Sequence, residues 1–315
     1  MDESLRAFLA RLIDYAGLFP PADLPIERAI RSYAGYRAGP DAWMLGRFVC
    51  PAGRLAELDP LVPLFAGGPP LELAALGRRG EHADGCLANL QEDLQQVAAF
   101  RERHGDLVAV EALELPLPPT TPEAATMAAI AAAAAEHRMR AFCEMAAPPS
   151  VGWEHAVDAT LDAILEHNAG GGPQLGYKLR AGGATPDAIP SVGEVAHVLL
   201  ACRDRGVALK CTAGLHRPFR GQHGEARATM HGFVNVFAAG VLAHACRLER
   251  AATEAILADE EPASFTFAGG RLAWRDCAAD AAEVARLRET ALVSFGSCSF
   301  DEPREDLRRL GVLES

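Results

Sequence analysis

Residues 175–216, LGYKLRAGGATPDAIPSVGEVAHVLLACRDRGVALKCTAGLH, constrain the fold of this chain more than any other stretch. Two short apolar runs, Leu175 to Tyr177 and Val207 to Leu209, each lead into a lysine and then a Gly-containing turn. Between them Ser191 and Glu194 stand at capping-box spacing, and Val195, Val198, Leu199 and Cys202 form an apolar stripe at the helical period. Gly206 supplies a C-terminal stop. The unit reads strand, helix, strand. A crossover through a helix returns the second strand parallel to the first, usually as its neighbour, so Lys178 and Lys210 are expected side by side near the carboxyl ends of adjacent strands.

The same punctuation runs through the rest of the chain. Apolar runs at 11–19, 43–51, 71–77, 107–119 and 140–146 come before this unit and one at 292–300 after it, most of them stopped by proline or glycine. Helical patterns fall at about 25–36, 81–104, 121–137, 152–167 and 279–290. Eight strands alternating with helices, without a close internal repeat, predict an α/β fold, a (βα)8 TIM barrel forming one domain over residues 1–315. An open doubly wound sheet is the alternative. Two features exceed a minimal barrel: a long polar loop at 214–231 after strand seven, and a small hairpin insertion with a Gly-Gly turn at 264–275 before the last helix. The segment HGFVNVFAAGVLAHA reads mostly as a core helix, with His231 and Asn235 one turn apart and turned to the pocket.

Composition narrows the partners. A net charge of -12 in 315 residues argues against nucleic acid, which needs a basic face. The opening residues lack the apolar core of a signal peptide, and the longest apolar run, Phe233 to Cys246, is too short to span a bilayer, so a cytoplasmic protein with no membrane partner is expected. Eight scattered cysteines without a CxxC pair fit buried reduced thiols. His216, His223 and His231 match no ligand spacing, so they read as lid residues and neither metal nor cofactor is assigned. A homo-oligomer is left open.

Of the 30 Lys and Arg residues only two are lysines, Lys178 and Lys210. Arg is always protonated, whereas a desolvated Lys can lose its proton and attack a carbonyl. In a barrel the strand-end polar residues converge on one mouth: Asp14, Cys50, Glu111 or Glu114, Glu144, Lys178 with Arg180, Lys210 with Thr212, and Ser297 with Ser299. Two amines beside carboxylates suit Schiff-base chemistry, with Asp14, Glu111 and Glu144 as proton carriers and Arg180, Thr212 and His216 as substrate contacts. The second ammonium is expected to bring the pKa of the first down toward the working pH.

Glu144 in RAFCEMA, Lys178 in GYKLRAGG, Lys210 in LKCTAGL and the closing FGSCSF resemble strands five to eight of deoxyribose-phosphate aldolase and its class I aldolase relatives. The resemblance covers about half the chain in short motifs. It implies Lys178 as the Schiff-base nucleophile, Lys210 as the auxiliary lysine, and Gly296, Ser297 and Ser299 as a phosphate-binding turn. The family's fourth-strand Asp is absent, with only Glu111 and Glu114 there, and Leu-Arg follows Lys178 where the family has small hydroxyl residues. The function implied is a cofactor-free lyase or aldolase acting on a small aldehyde or keto compound. Two alternatives stay open: an Mg²⁺-dependent isomerase or decarboxylase built on a barrel-mouth lysine with Glu111 and Glu144, and a non-catalytic barrel that binds an anionic metabolite.

Overall fold

The computed structural model describes residues 1–120, 122–145, 152–183, 185–223 and 228–313. Eight parallel strands close a barrel: β1 (Ile13–Tyr15), β2 (Leu45–Pro51), β3 (Leu71–Leu76), β4 (Val108–Pro116), β5 (Arg140–Glu144), β6 (Gly176–Arg180), β7 (Leu209–Thr212) and β13 (Leu292–Ser297), with β13 between β7 and β1. Around it run helices α1 (Glu3–Leu9), α2 (Ile26–Arg37), α3 (Ala83–His104), α4 (Ala124–Glu136), α5 (Trp153–Ala169), α6 (Val192–Arg205), α7 (Phe233–Ala245), α8 (Arg250–Ala258), α9 (Ala281–Thr290) and α10 (Asp301–Arg309). The expected (βα)8 barrel is the observed fold. Among the described residues no helix is long and apolar enough to cross a membrane.

The βαβ unit forms as its sequence dictates. Ser191 and Glu194 close a full capping box on α6, and Gly206 ends the helix in the left-handed conformation at φ 63°. Elsewhere the structure departs from the pattern. The first strand is only three residues long, and before it Glu3–Leu9 form a helix capped by Asp2. Short 3-10 helices, Ala52–Leu58 and Val62–Phe65, occupy the connection between β2 and β3. The 264–275 insertion is larger than a hairpin: β10 (Phe265–Ala268), β11 (Arg271–Trp274) and β12 (Cys277–Asp280) make a three-stranded antiparallel sheet. It packs on α1, where Phe8 and Phe267 lie 5.2 Å apart and Gly270 donates to Asp2. The 214–231 segment contains a short hairpin, β8 (Gly221–His223) with β9 (Ala228–Met230).

Alternation sorts each barrel strand into an outer apolar face and an inner one. Tyr15 and Phe48 point outward to Tyr33 of α2, and Phe295 points outward to Phe233 and Phe237 of α7. Residues Phe233 to Ala243 are all buried, as a core helix requires. Val49, Ala74 and Ala112, aligned on three neighbouring strands, form a small apolar cluster separate from this outer core. They line the inside of the barrel on the β2–β4 side, which leaves the opposite side for polar groups.

The turns after the two lysine strands pack backbone to backbone. A Cβ on Gly182 would fall 2.6 Å from Gly214 Cα, and Gly214 itself has φ 73°. This contact holds β6 and β7 together just past Lys178 and Lys210. Gly182→Ala is expected to cost about 1–3 kcal/mol of unfolding free energy through overpacking, read as a lower urea midpoint at unchanged slope; an unchanged midpoint would show that the turns tolerate separation.

Candidate active site

Inside the barrel, residues from β1, β4, β5, β6, β7 and β13 assemble one ionic network. Lys178 Nζ lies 2.7 Å from Glu114 Oε2 and 2.7 Å from Glu144 Oε2. Lys210 Nζ lies 2.5 Å from Glu114 Oε1 and 2.5 Å from Asp14 Oδ2. Arg180 reaches Glu144 Oε1 through Nε at 3.1 Å and Nη2 at 2.9 Å, and Ser294 donates to Asp14 Oδ2 at 2.6 Å. The order Asp14, Lys210, Glu114, Lys178, Glu144, Arg180 alternates in charge. All of it is buried except the Arg180 side chain, which is 53% exposed.

Strand geometry explains the convergence. Lys178 pairs in register with Lys210 and Glu144, and Arg180 with Thr212. Tyr177 and Leu179 turn outward into the core, so Lys178 and Arg180 share the inner face of β6. At β1 the Asp14 carboxylate accepts the backbone N–H of Arg47 at 2.5 Å. This approach needs a glycine next door, since a Cβ on Gly46 would sit 2.1 Å from Asp14 Oδ1.

The fourth-strand carboxylate of this network is Glu114, and the assignment of Glu111 is corrected. Val110 pairs with Leu73 and Ala112 with Ala74, so Glu111 is the extra residue of a β-bulge. It is exposed and pairs with Arg47 at 3.4 Å. Ala112 lies level with Arg140, the first residue of β5, so Glu111 sits at the amino-terminal rim, away from the Glu144 end. A signal for this exists in the sequence: Val108 and Val110 keep one phase of alternation, Leu113, Leu115 and Leu117 the other, and the slip falls at 111–112.

Electrostatics correct a second expectation. Burial alone would push the Lys178 pKa down, but the Glu114 and Glu144 carboxylates outweigh it and the net shift is upward. The charges nearest the amine are negative, so ammonium repulsion does not govern it. Burial would likewise raise Glu114, yet Lys178 and Lys210 together hold its carboxyl well below the ordinary range. The second oxygen of Glu114, Oε1, is taken by Lys210, so its two oxygens serve one amine each.

The remaining candidates divide. Thr212 is half-buried at the mouth beside Gly296, where an added Cβ would lie 3.4 Å from Thr212 Oγ1. His216 places Nδ1 3.8 Å from Cys298 Sγ; burial lowers the imidazole pKa and raises that of the thiol. Ser297 turns its hydroxyl back to the Ser299 carbonyl at 2.6 Å, and Ser299 Oγ accepts from Glu302 N at 3.2 Å, capping α10. His231 is buried with Nε2 2.6 Å from the Pro190 carbonyl, and Asn235 binds backbone groups of Arg220, Ile256 and Asp259. These two hold the fold and are not turned to the pocket. The His223 side chain lies outside the described residues. Cys50 is buried, with its thiol pushed up to about 12 by burial. Among the described residues no group of three or more His, Cys, Asp or Glu is arranged for a metal ion; the spaces between Asp14, Glu114 and Glu144 are filled by the two amines.

Breaking a buried pair leaves an uncompensated charge, typically at a cost of about 3–5 kcal/mol. Glu114→Gln is therefore expected to lower stability near neutral pH by about that amount. Because the folded-state pKa of Glu114 lies below its ordinary value, its contribution is complete above about pH 4.5 and is lost as pH falls toward about 2. Over that window the wild-type chain should lose stability more steeply than Glu114→Gln, and equal slopes in urea titrations would refute the assignment.

No protein-family model and no curated protein matches the chain. Among solved structures, the carboxyl transferase domain of Rhizobium etli pyruvate carboxylase with oxamate and biotin is similar at TM-score 0.45 and 14% identity, over 67% of this chain and 37% of that one. N-isopropylammelide isopropylaminohydrolase from Burkholderia multivorans is similar at TM-score 0.32 and 18% identity, over 67% of this chain and 48% of that one. The chain thus spans less than half the length of either, and likenesses this distant carry no argument about activity.

Proposed function

We propose that this barrel is a cofactor-free carbon–carbon lyase that acts on a small aldehyde or keto compound through a Schiff base at Lys178, with the class I aldolase resemblance as its motivation. The observation that carries the reading is Glu114, one buried carboxylate shared by both lysine amines at 2.7 and 2.5 Å. A shared carboxylate lets a proton leave one amine while the other ammonium keeps the site's charge in balance.

Lys178 ammonium gives a proton to Glu144 or Glu114, and the freed lone pair attacks the substrate carbonyl carbon. The carbonyl oxygen takes back that proton from the carboxylic acid and a second one from the attacking nitrogen and leaves as water, and the nitrogen lone pair closes the iminium. In a β-hydroxy substrate, the hydroxyl proton passes to a carboxylate as the carbon–carbon bond breaks, and its electron pair flows into the iminium to give an enamine. Asp14, fixed by Ser294 and the Arg47 N–H, orients Lys210. Lys210 in turn orients Glu114.

Lys178→Arg should abolish reductive trapping at every pH, because a guanidinium cannot deprotonate. Lys210→Met removes the cation that competes for Glu114, so the full carboxylate charge falls on Lys178 and raises its pKa further. The alkaline-side rise of trapping should then move to higher pH, whereas Glu114→Gln should move it to lower pH. Borohydride trapping with peptide mapping, measured against pH, checks all three; an adduct on Lys210 would reverse the lysine roles, and an active enzyme with no adduct would end the Schiff-base reading.

A further inference from the structure

The mouth holds several groups able to meet an anion, and most are already committed. Arg217 Nη1 binds both oxygens of Asp306 at 2.9 and 2.7 Å. Arg220 faces Glu260 at 3.9 Å, and its backbone N–H is held by Asn235. At the end of β13, Ser297 and Ser299 spend their hydroxyls on the turn itself and on capping α10. That helix also carries Asp301 and Glu302 in its first turn, so the charge at its start is already met by carboxylates.

Arg180 differs from all of these. It uses Nε and Nη2 on a single oxygen of Glu144, and Nη1 has no partner among the described residues. The guanidinium is half exposed, at the solvent end of an otherwise buried network. Thr212, in register beside it, makes no side-chain hydrogen bond among the described residues.

Resting on the Schiff-base reading, we infer that Arg180 and Thr212 form a carboxylate-binding subsite above Lys178, and that the substrate is a short oxo acid whose carboxylate lies within one or two carbons of the reacting carbonyl. The spacing sets the length. Lys178 and Arg180 are two residues apart on one strand face, about 6.6 Å along the strand, so a carboxylate on the free edge of the guanidinium leaves room for only a short link to a carbon at Lys178 Nζ. A planar fork with unused N–H groups is suited to a carboxylate.

Occupation of the subsite also feeds back on the amine. A second carboxylate on Arg180 weakens its hold on Glu144, so more of the Glu144 charge falls on the Lys178 ammonium it already contacts at 2.7 Å, and the amine is held more firmly in its charged form. An acidic substrate therefore moves the alkaline-side rise of trapping to higher pH. A neutral one lacks the effect.

The test uses glyoxylate and acetaldehyde, two small aldehydes that differ in the carboxylate, with glycolaldehyde phosphate as a phosphate-bearing probe. Calorimetric binding and cyanoborohydride trapping are measured for the wild-type chain, Arg180→Met and Arg180→Lys, with circular dichroism confirming the fold. The wild type should bind glyoxylate on the order of 10- to 100-fold more tightly than acetaldehyde, and its trapping should rise at higher pH with glyoxylate. Arg180→Met should erase both differences; Arg180→Lys should restore part of the preference. A glyoxylate preference that survives Arg180→Met overturns the subsite, as does phosphate-dependent binding that ignores Arg180, which would assign the anion to the eighth-strand turn. Arg180-dependent glyoxylate binding without an adduct at Lys178 would leave the subsite standing and remove the Schiff-base reading, whereas an adduct whose carboxylate preference ignores Arg180 would do the reverse.

Discussion

Three carboxylates and two ammonium groups share the interior of this barrel, with the Arg180 guanidinium at its solvent end as the third cation, and their mutual neutralisation is what the rest of the site depends on. Each of the five interior groups is almost fully buried, and an isolated charge in such a place costs several kcal/mol of lost hydration. No single pair within the network is self-sufficient, because Lys178 and Lys210 each touch two carboxylates and Glu114 touches both lysines. An apolar interior of equal volume would pack as well or better, since buried ion pairs seldom add net stability over hydrophobic replacements. What the network adds is a set of fixed positions for charges, held by backbone and hydroxyl groups that have no other task.

The barrel is built around this demand. Val49, Ala74 and Ala112 fill the β2–β4 side of the interior with small apolar side chains, so the long lysine side chains from β6 and β7 have room to cross toward Asp14 on β1 and Glu114 on β4. Gly46 lets the Asp14 carboxylate reach a backbone N–H, and the contact between Gly182 and Gly214 fixes the strand ends that carry the amines. The three-stranded sheet and α1 pack together, with no residue of either in the network. They lengthen the chain without altering the strand ends.

Much of this was legible in the amino-acid order. Strand and helix alternation is written in period and punctuation, and those signals are local, which is why all eight barrel strands were found. The scarcity of lysine pointed to Lys178 and Lys210, and the strand-end rule to Asp14, Glu144 and Arg180. Choosing between Glu111 and Glu114 was harder, because three residues apart on a regular strand they face opposite ways and only the register decides. The bulge at Glu111 sets that register; the change in alternation phase after Val110 records it, but a reading that counts apolar residues without their phase passes over it. Ser294, Gly46 and the capping roles of Ser297 and Ser299 left no trace, since they depend on which neighbours the closed barrel brings within hydrogen-bonding distance.

The lysine pKa also lay beyond the sequence, for a reason that bears on chemistry. Two nearby lysines suggest mutual repulsion, yet repulsion acts only if no carboxylate stands closer, and here Glu114 and Glu144 do. The result is an amine held as ammonium at rest. On the Schiff-base reading this is less of an obstacle than it first looks. The iminium that follows carries the same single positive charge at nearly the same position, so carboxylates that stabilise the ammonium also stabilise the intermediate. The only species they disfavour is the short-lived neutral amine, and the carboxylates that disfavour it are also the bases that must form it. Catalysis benefits where the transition state and the intermediate are held more tightly than the reactant. Here the resting ammonium is held as tightly as the iminium, so the net gain has to come from the substrate. An anion seated on Arg180 would supply it through position, because it holds the carbonyl carbon beside Lys178 Nζ, so that each short-lived neutral amine meets an oriented electrophile.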